Sequence, residues 1–172
     1  MDRDCTYRSR THHDVGTFKH CAWIDQNGHV HVAPRHLRRL SYDKYGLANI
    51  HVDRWYYVRR DGRVAPVMTL DNWAEPFSDG RARSPVGKKI GYIDRHLRLV
   101  IPARYDGAFS FERGIAVVCT GCKATSDGEH HWYEGGMWGC IDREARQQRP
   151  FRSLRPNETY DASCLDIARG PH

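Results

Sequence analysis

Cys119-Thr120-Gly121-Cys122 is where metal-ligating side chains gather most densely in this 172-residue chain, because Glu129, His130 and His131 follow it closely. A two-residue gap lets one tight turn aim both sulfurs at a single ion, and thiolate with imidazole is a donor set that zinc favours. Cys119, Cys122, His130 and His131 are therefore the candidate metal ligands and zinc the candidate cofactor, with Cys140 in reserve as a fourth ligand. The spacing to the histidines matches no standard zinc-finger pattern, so a redox-active pair and a plain loop with two free thiols stay open beside it. Two histidines next to a carboxylate also suit acid–base chemistry. Neither a nucleophile nor a phosphate-binding loop accompanies them, and the chain reads as non-catalytic.

A second cluster offers binding rather than chemistry. Arg143, Arg146, Arg149, Arg152 and Arg155 recur every third residue, with Pro150 and Pro156 excluding a helix. That period aligns guanidinium groups along one side of an extended, polyproline-like segment, and only Glu144 opposes them, a local charge of +4. Such a row suits an acidic protein surface or a nucleic-acid backbone; it equally suits a polar cap on a terminal repeat. Trp55 and Trp73 mark an alternative, aromatic binding face. Arginine also dominates the whole chain, 22 against five lysines within a net charge of +6, which fits a surface for carboxylate or phosphate groups. A GC-rich genome produces the same bias.

What positions these residues is a repeat. Gly46, Gly80 and Gly114 lie 34 residues apart, each followed two residues later by Ala48, Ala82 or Ala116. Ala22-Trp23-Ile24-Asp25, Tyr56-Tyr57-Val58-Arg59, Gly91-Tyr92-Ile93-Asp94 and Gly139-Cys140-Ile141-Asp142 recur at spacings of 34, 35 and 48. Each copy reads as a hairpin: alternating residues, a turn such as Gln26-Asn27-Gly28 or Asp61-Gly62, then a return strand ended by Pro34, Pro66 or Pro102. A glycine at positive φ then feeds a third strand. Leu97 stands where a turn glycine is expected, so that turn needs another geometry or stores strain. The fold class is all-β, tandem antiparallel β-meander or hairpin repeats stacked into one continuous domain of roughly a dozen strands. The copies span 19–52, 53–87, 88–118 and 136–172, with an insertion at 119–135 and residues 1–18 as an N-terminal extension. Ile24, Val58, Ile93 and Ile141 should form a buried ladder, with Trp23, Tyr57 and Tyr92 an aromatic ladder on the opposite face and Trp138 shifted in the last copy.

Gly91-Tyr92-Ile93-Asp94, Val100-Ile101-Pro102, Tyr105-Asp106 and Phe111-Glu112-Arg113-Gly114-Ile115-Ala116, with the Trp138-Gly139 pair, resemble the WG (KWG) β-repeat proteins, widespread in bacteria. The resemblance covers about 19–169, and Tyr160-Asp161 with Ile167-Ala168 look like the closing half of the fourth copy. It implies a scaffold without a shared chemistry. Size and family analogy suggest a protein-binding module, with a bacterial immunity protein that occludes an effector toxin as one form. Nucleic-acid binding, through Arg54, Arg59 and Arg60 interleaved with Trp55, Tyr56 and Tyr57, is the alternative, as is a zinc-stabilised regulatory module. The N-terminus shows no apolar leader and no stretch could span a membrane, so a cytoplasmic chain with six reduced cysteines is expected.

Overall fold

Sixteen strands and one four-residue helix account for the regular structure of the described residues, 1–158 and 164, in the computed structural model. The all-β expectation is met. Tyr160-Asp161 and Ile167-Ala168, read as the end of the fourth copy, lie outside the described residues. The chain divides into two bodies, Met1–Pro76 with Arg95–Arg98, and Phe77–Asp94 with Leu99 onward.

The first body holds β1 (Asp2–Arg8), β2 (Val15–Ile24), β3 (Val30–Val32), helix α1 (Pro34–Leu37), β4 (Leu47–His51), β5 (Trp55–Arg59), β6 (Val64–Pro66), β7 (Thr69–Leu70) and β8 (Trp73–Ala74). Six of these strands form one antiparallel sheet in the order β3-β2-β1-β4-β5-β6. Residues 1–18 are thus no extension. β1 lies in the middle of that sheet, pairing Thr6 with Thr17 on one side and with His51 on the other. The sequence hid this because β1 carries no glycine-alanine marker, only a strand's alternation that buries Cys5 and Tyr7.

The second body holds β9 (Ala82–Val86), β10 (Lys89–Ile93), β11 (Leu99–Tyr105), β12 (Gly107–Ala108), β13 (Ile115–Thr120), β14 (Lys123–Ser126), β15 (His131–Glu134) and β16 (Met137–Asp142). Its sheets run β11-β10-β9, β12-β13-β16 and the separate hairpin β14-β15. A common plan joins both bodies' meanders. The strand that follows the glycine motif pairs with the first hairpin strand of the next copy, as β4 with β5, β9 with β10 and β13 with β16. The sheet unit is therefore shifted by one strand from the repeat cut by sequence, and β1 with β2 is its first instance.

Local chemistry explains the turns. Asp79-Gly80 and Arg113-Gly114 both hold two successive positive φ values (53° and 73°, 53° and 80°), and the flanking residues Ser78–Arg81 and Glu112–Ile115 bridge across them. That is a type I′ hairpin turn, which needs glycine or a tolerant polar residue. Leu97 takes φ 62° although it is leucine, and it is buried. It keeps the glycine conformation and accepts the strain. The glycine of the Trp-Gly pair answers a different need. A Cβ on Gly91 would lie 2.4 Å from the Ile101 carbonyl oxygen, and one on Gly139 would lie within 2.3 Å of the Phe151 ring. Only glycine lets the return strand or its side chain come so close.

Burial follows the ladder in three copies. Val58, Ile93 and Ile141 are buried, as are Tyr57, Tyr92 and Trp138 on the other face. Ile24 is only half-buried against the first body's core, and Trp23 is exposed, stacked on His31 with ring centroids 5.2 Å apart. The aromatic ladder is core, not groove. The Tyr57 hydroxyl donates to the Glu75 carbonyl at 2.6 Å and the Tyr92 hydroxyl to the Phe109 carbonyl at 2.6 Å, two residues before each copy's phenylalanine.

All six cysteines are paired, Cys5 with Cys21, Cys119 with Cys122 and Cys140 with Cys164, at Cα separations of 5.9, 6.0 and 5.7 Å. These lie within the ordinary disulfide range. The expectation of six reduced thiols is corrected: each sulfur meets its partner inside a packed core, Cys5 and Cys21 across β1 and β2, the other four in one cluster with Trp138.

Candidate binding surface

Zinc ligation and two free thiols both require reduced sulfurs, and the Cys119–Cys122 disulfide departs from both readings. The histidines sit apart from it, on the exposed hairpin β14–β15. His130 occupies the turn, where its amide and that of Glu129 bond to Asp127 Oδ1 and its Nδ1 lies 3.2 Å from Asp127 Oδ2. His131 begins β15, opposite Ser126. Among the described residues no group of three or more His, Cys, Asp and Glu side chains is placed to hold a metal ion.

The arginine run is not a polyproline-like row. It is the return strand of the last meander, bridging Ile141 with Gln147 and Trp138 with Arg152 and bulging between, with Phe151 laid over Gly139. Its side chains part accordingly. Arg146 folds back on Asp142 (2.8 Å) and Glu144 (3.3 Å), while Arg152 pairs with Glu158. The Arg143 carbonyl accepts from Arg81, and its guanidinium reaches the Asp79 carbonyl at 3.4 Å. Arg155 is exposed beside Glu158, which accepts from its amide, and Arg149 is exposed on the bulge. Period three fails because Arg143, Arg146 and Arg152 answer a turn or a carboxylate, not a common axis. Trp55 is buried, with its ring 4.2 Å from that of the half-buried Trp73, so the pair packs together at the β7–β8 corner.

Electrostatics here mostly tightens turns. The His31 side chain and the amides of His29 and Asn27 hold the Asp25 carboxyl down at about 2. Arg152 and the Arg155 amide hold Glu158 at about 2. Burial works to raise Asp142, but the Arg146 amide and guanidinium bring it below the usual carboxylate range. Burial and then the Asp53 hydrogen bond push the Tyr56 phenol up to about 12. None of these groups is poised near neutral pH for proton transfer.

The first body carries a feature that sequence reasoning missed. Tyr45, Gly46, Arg59, Arg60, Asp61, Arg95 and His96 line an open hollow of about 580 Å³. Asp43 Oδ1 accepts from the amides of Tyr45 and Leu47, an Asx-type turn that fixes the loop and leaves the Tyr45 ring half exposed. The Arg95 guanidinium sits 4.0 Å from the centre of that ring and the Lys44 ammonium 5.1 Å, while Arg60 lies 4.5 Å over Tyr42. Arg59 reaches the His96 carbonyl at 3.3 Å and Asp61 at 3.7 Å. The signal was present in part, as Arg59-Arg60 and Tyr45-Gly46, but nothing in the sequence brings residue 95 to residue 45.

Residues 90–121, from β10 through β13, match the family model of the WG containing repeat. No curated protein and no solved structure matches the chain. No helix among the described residues is long and apolar enough to cross a membrane.

Proposed function

We propose that this chain, whose residues 90–121 match the WG containing repeat, is a non-catalytic module that holds another protein on the loops and turns its repeat frame displays. The observation that carries this reading is how the repeated side chains are engaged. The Tyr57 and Tyr92 hydroxyls bond to main-chain carbonyls, the Asp25 and Asp142 carboxylates clasp turn amides, and Asp79 Oδ2 accepts from the Gly114 amide at 2.7 Å. A framework that satisfies its own polar groups is a rigid frame, and recognition falls to the loops it displays. Those are the hairpin β14–β15 and the hollow at Tyr45. Occlusion of an effector toxin is one form of this reading, tested by rescue of cells that co-express a toxin from a neighbouring gene.

The three disulfides support an oxidising compartment over the cytoplasm expected from sequence, because cytosolic reductants keep such pairs open. Thiol alkylation of the chain in fresh extract should label none of its cysteines before a reductant is added; labelling of all six restores the cytoplasmic reading. For the module itself the test is chemical cross-linking in the native cell with mass spectrometry. It should yield one protein in about equal amount, joined at the hairpin or around Lys44. Turnover of a small substrate by the purified chain would sink the proposal.

A further inference from the structure

We infer that the hollow around Tyr45 takes a carboxylate-rich segment of the partner protein, a step that rests on the protein-binding reading above. Lys44, Arg59, Arg60 and Arg95 stand on or beside it, and Asp61 is the one carboxylate in its lining. Asp61 pairs with Arg59, so a single carboxylate of the lining stands against the charges of Arg59, Arg60 and Arg95. The cations are also held in place. A guanidinium laid on an aromatic face is fixed by that face, while its N–H donors point outward in its own plane, the fork that a carboxylate fits. Arg60 lies 4.5 Å over the Tyr42 ring and Arg95 4.0 Å over the Tyr45 ring, and the Asp43 turn fixes the loop that carries Tyr45. Side chains already held lose less freedom on binding. The hollow is open to solvent, which suits a projecting acidic loop or tail better than an enclosed metabolite.

The same features weigh against nucleic acid. Base stacking needs a bare aromatic face, and two cations already lie against the Tyr45 ring. A backbone track needs cations in series. In the arginine run that promised one, Arg146 and Arg152 are folded onto Asp142, Glu144 and Glu158, which breaks the series.

The test uses the full oxidised chain, a fluorescein-labelled octaglutamate peptide at low salt, and a thymidine oligonucleotide of matched charge. Arg60→Glu should weaken the peptide at least about tenfold, since charge reversal in a built site costs more than bulk attraction. Arg104→Glu, the same charge change at an exposed position of β11, should weaken it by less than about threefold. Arg60→Gln should fall between, and it gives the same comparison should Arg60→Glu melt early. Equal losses in Arg60→Glu and Arg104→Glu overturn the site, leaving only net charge. Preference for the oligonucleotide, lost in Arg60→Glu, overturns the carboxylate assignment in favour of nucleic acid. A cross-linked native partner that binds Arg60→Glu as tightly as wild type overturns the site and leaves the module standing.

Discussion

The meander β9–β11 and the hairpin β14–β15 are built from the same antiparallel pairing and serve opposite ends. In β10 four of five residues are buried, with Tyr92 and Ile93 on opposite faces, and the Tyr92 hydroxyl is tied to a distant carbonyl. In β14–β15 Lys123, Ala124, Thr125 and Ser126 pair in register with Glu134, Tyr133, Trp132 and His131, yet most side chains are exposed and the polar contacts stay local. Pairing alone does not make framework. Burial on both faces does, since an isolated two-stranded hairpin is marginal in water. The hairpin holds its place through its root, where the Cys119–Cys122 disulfide and β16 flank it.

The sharpest way to break this comparison is to delete one side chain from each region. Ile93→Ala should cost about 2–5 kcal/mol, because it leaves a cavity in a core that relaxes only in part. His131→Ala, exposed on β15, should stay within about half a kcal/mol. Urea unfolding of both variants decides it, and near-equal losses would mean the hairpin is framework after all.

The disulfides give the next largest contrast. Cys5 and Cys21 close a loop across a separation of 16 residues, and removing both as alanine should cost about 3 kcal/mol. Cys119 and Cys122 are three residues apart, so their bond constrains the unfolded chain far less, and the double alanine variant should cost about half as much. A larger effect at Cys119–Cys122 would show that the bond supports the hairpin's root by packing and not by chain entropy.

What the sequence revealed and what it concealed divide along the same line. The repeat interval, the buried ladder and the turn glycines were legible because each is a local pattern tied to a backbone need. Gly114 is at positive φ, and Ile93 and Ile141 are buried. The cysteine pairs were not legible, since Cys140 meets Cys164 only through the fold. Nor was the arginine row, whose even spacing suggested one face while Asp142 and Glu158 drew its members apart. The hollow was concealed for the same reason, because Arg95 reaches Tyr45 across 50 positions of chain.

A smaller effect separates two glycines. Gly114 and Gly128 both have positive φ (80° and 97°), and neither would meet a neighbour through an added Cβ. Valine is strained at both, by about 1–3 kcal/mol if the backbone holds. The difference lies in what yields. The Gly114 amide is tied to Asp79 of the preceding turn at 2.7 Å, whereas the Gly128 amide bonds to Ser126 two residues back. Gly128→Val can relax by reshaping an exposed turn, so Gly114→Val should be the more damaging in a melting curve. Equal shifts would mean that the turn-to-turn bond adds nothing.

The smallest expected effect concerns pH and sets a buried histidine of the framework against the hairpin variant already described. His36 on α1 is buried, its Nδ1 lies 2.7 Å from the Tyr7 hydroxyl, and its Nε2 has no hydrogen-bond partner among the described residues. Burial first, then Arg35 and Arg39, depress its pKa below the ordinary 6.5, so the fold holds the ring neutral. The sign follows from linkage. The unfolded chain takes up a proton at His36 as pH falls past 6.5 while the folded chain resists it. The stabilising contribution of the neutral ring is whole above that pH and is lost as pH falls through the lower, folded value. Unfolding midpoints measured from pH 7.5 to 5 should therefore decline, and His36→Phe should flatten that decline even if its stability at neutral pH differs. His131→Ala leaves His36 intact and should keep the wild-type slope. If His36→Phe retains the full slope and His131→Ala removes it, the acid-sensitive group sits on the hairpin, and the division between framework and display fails there.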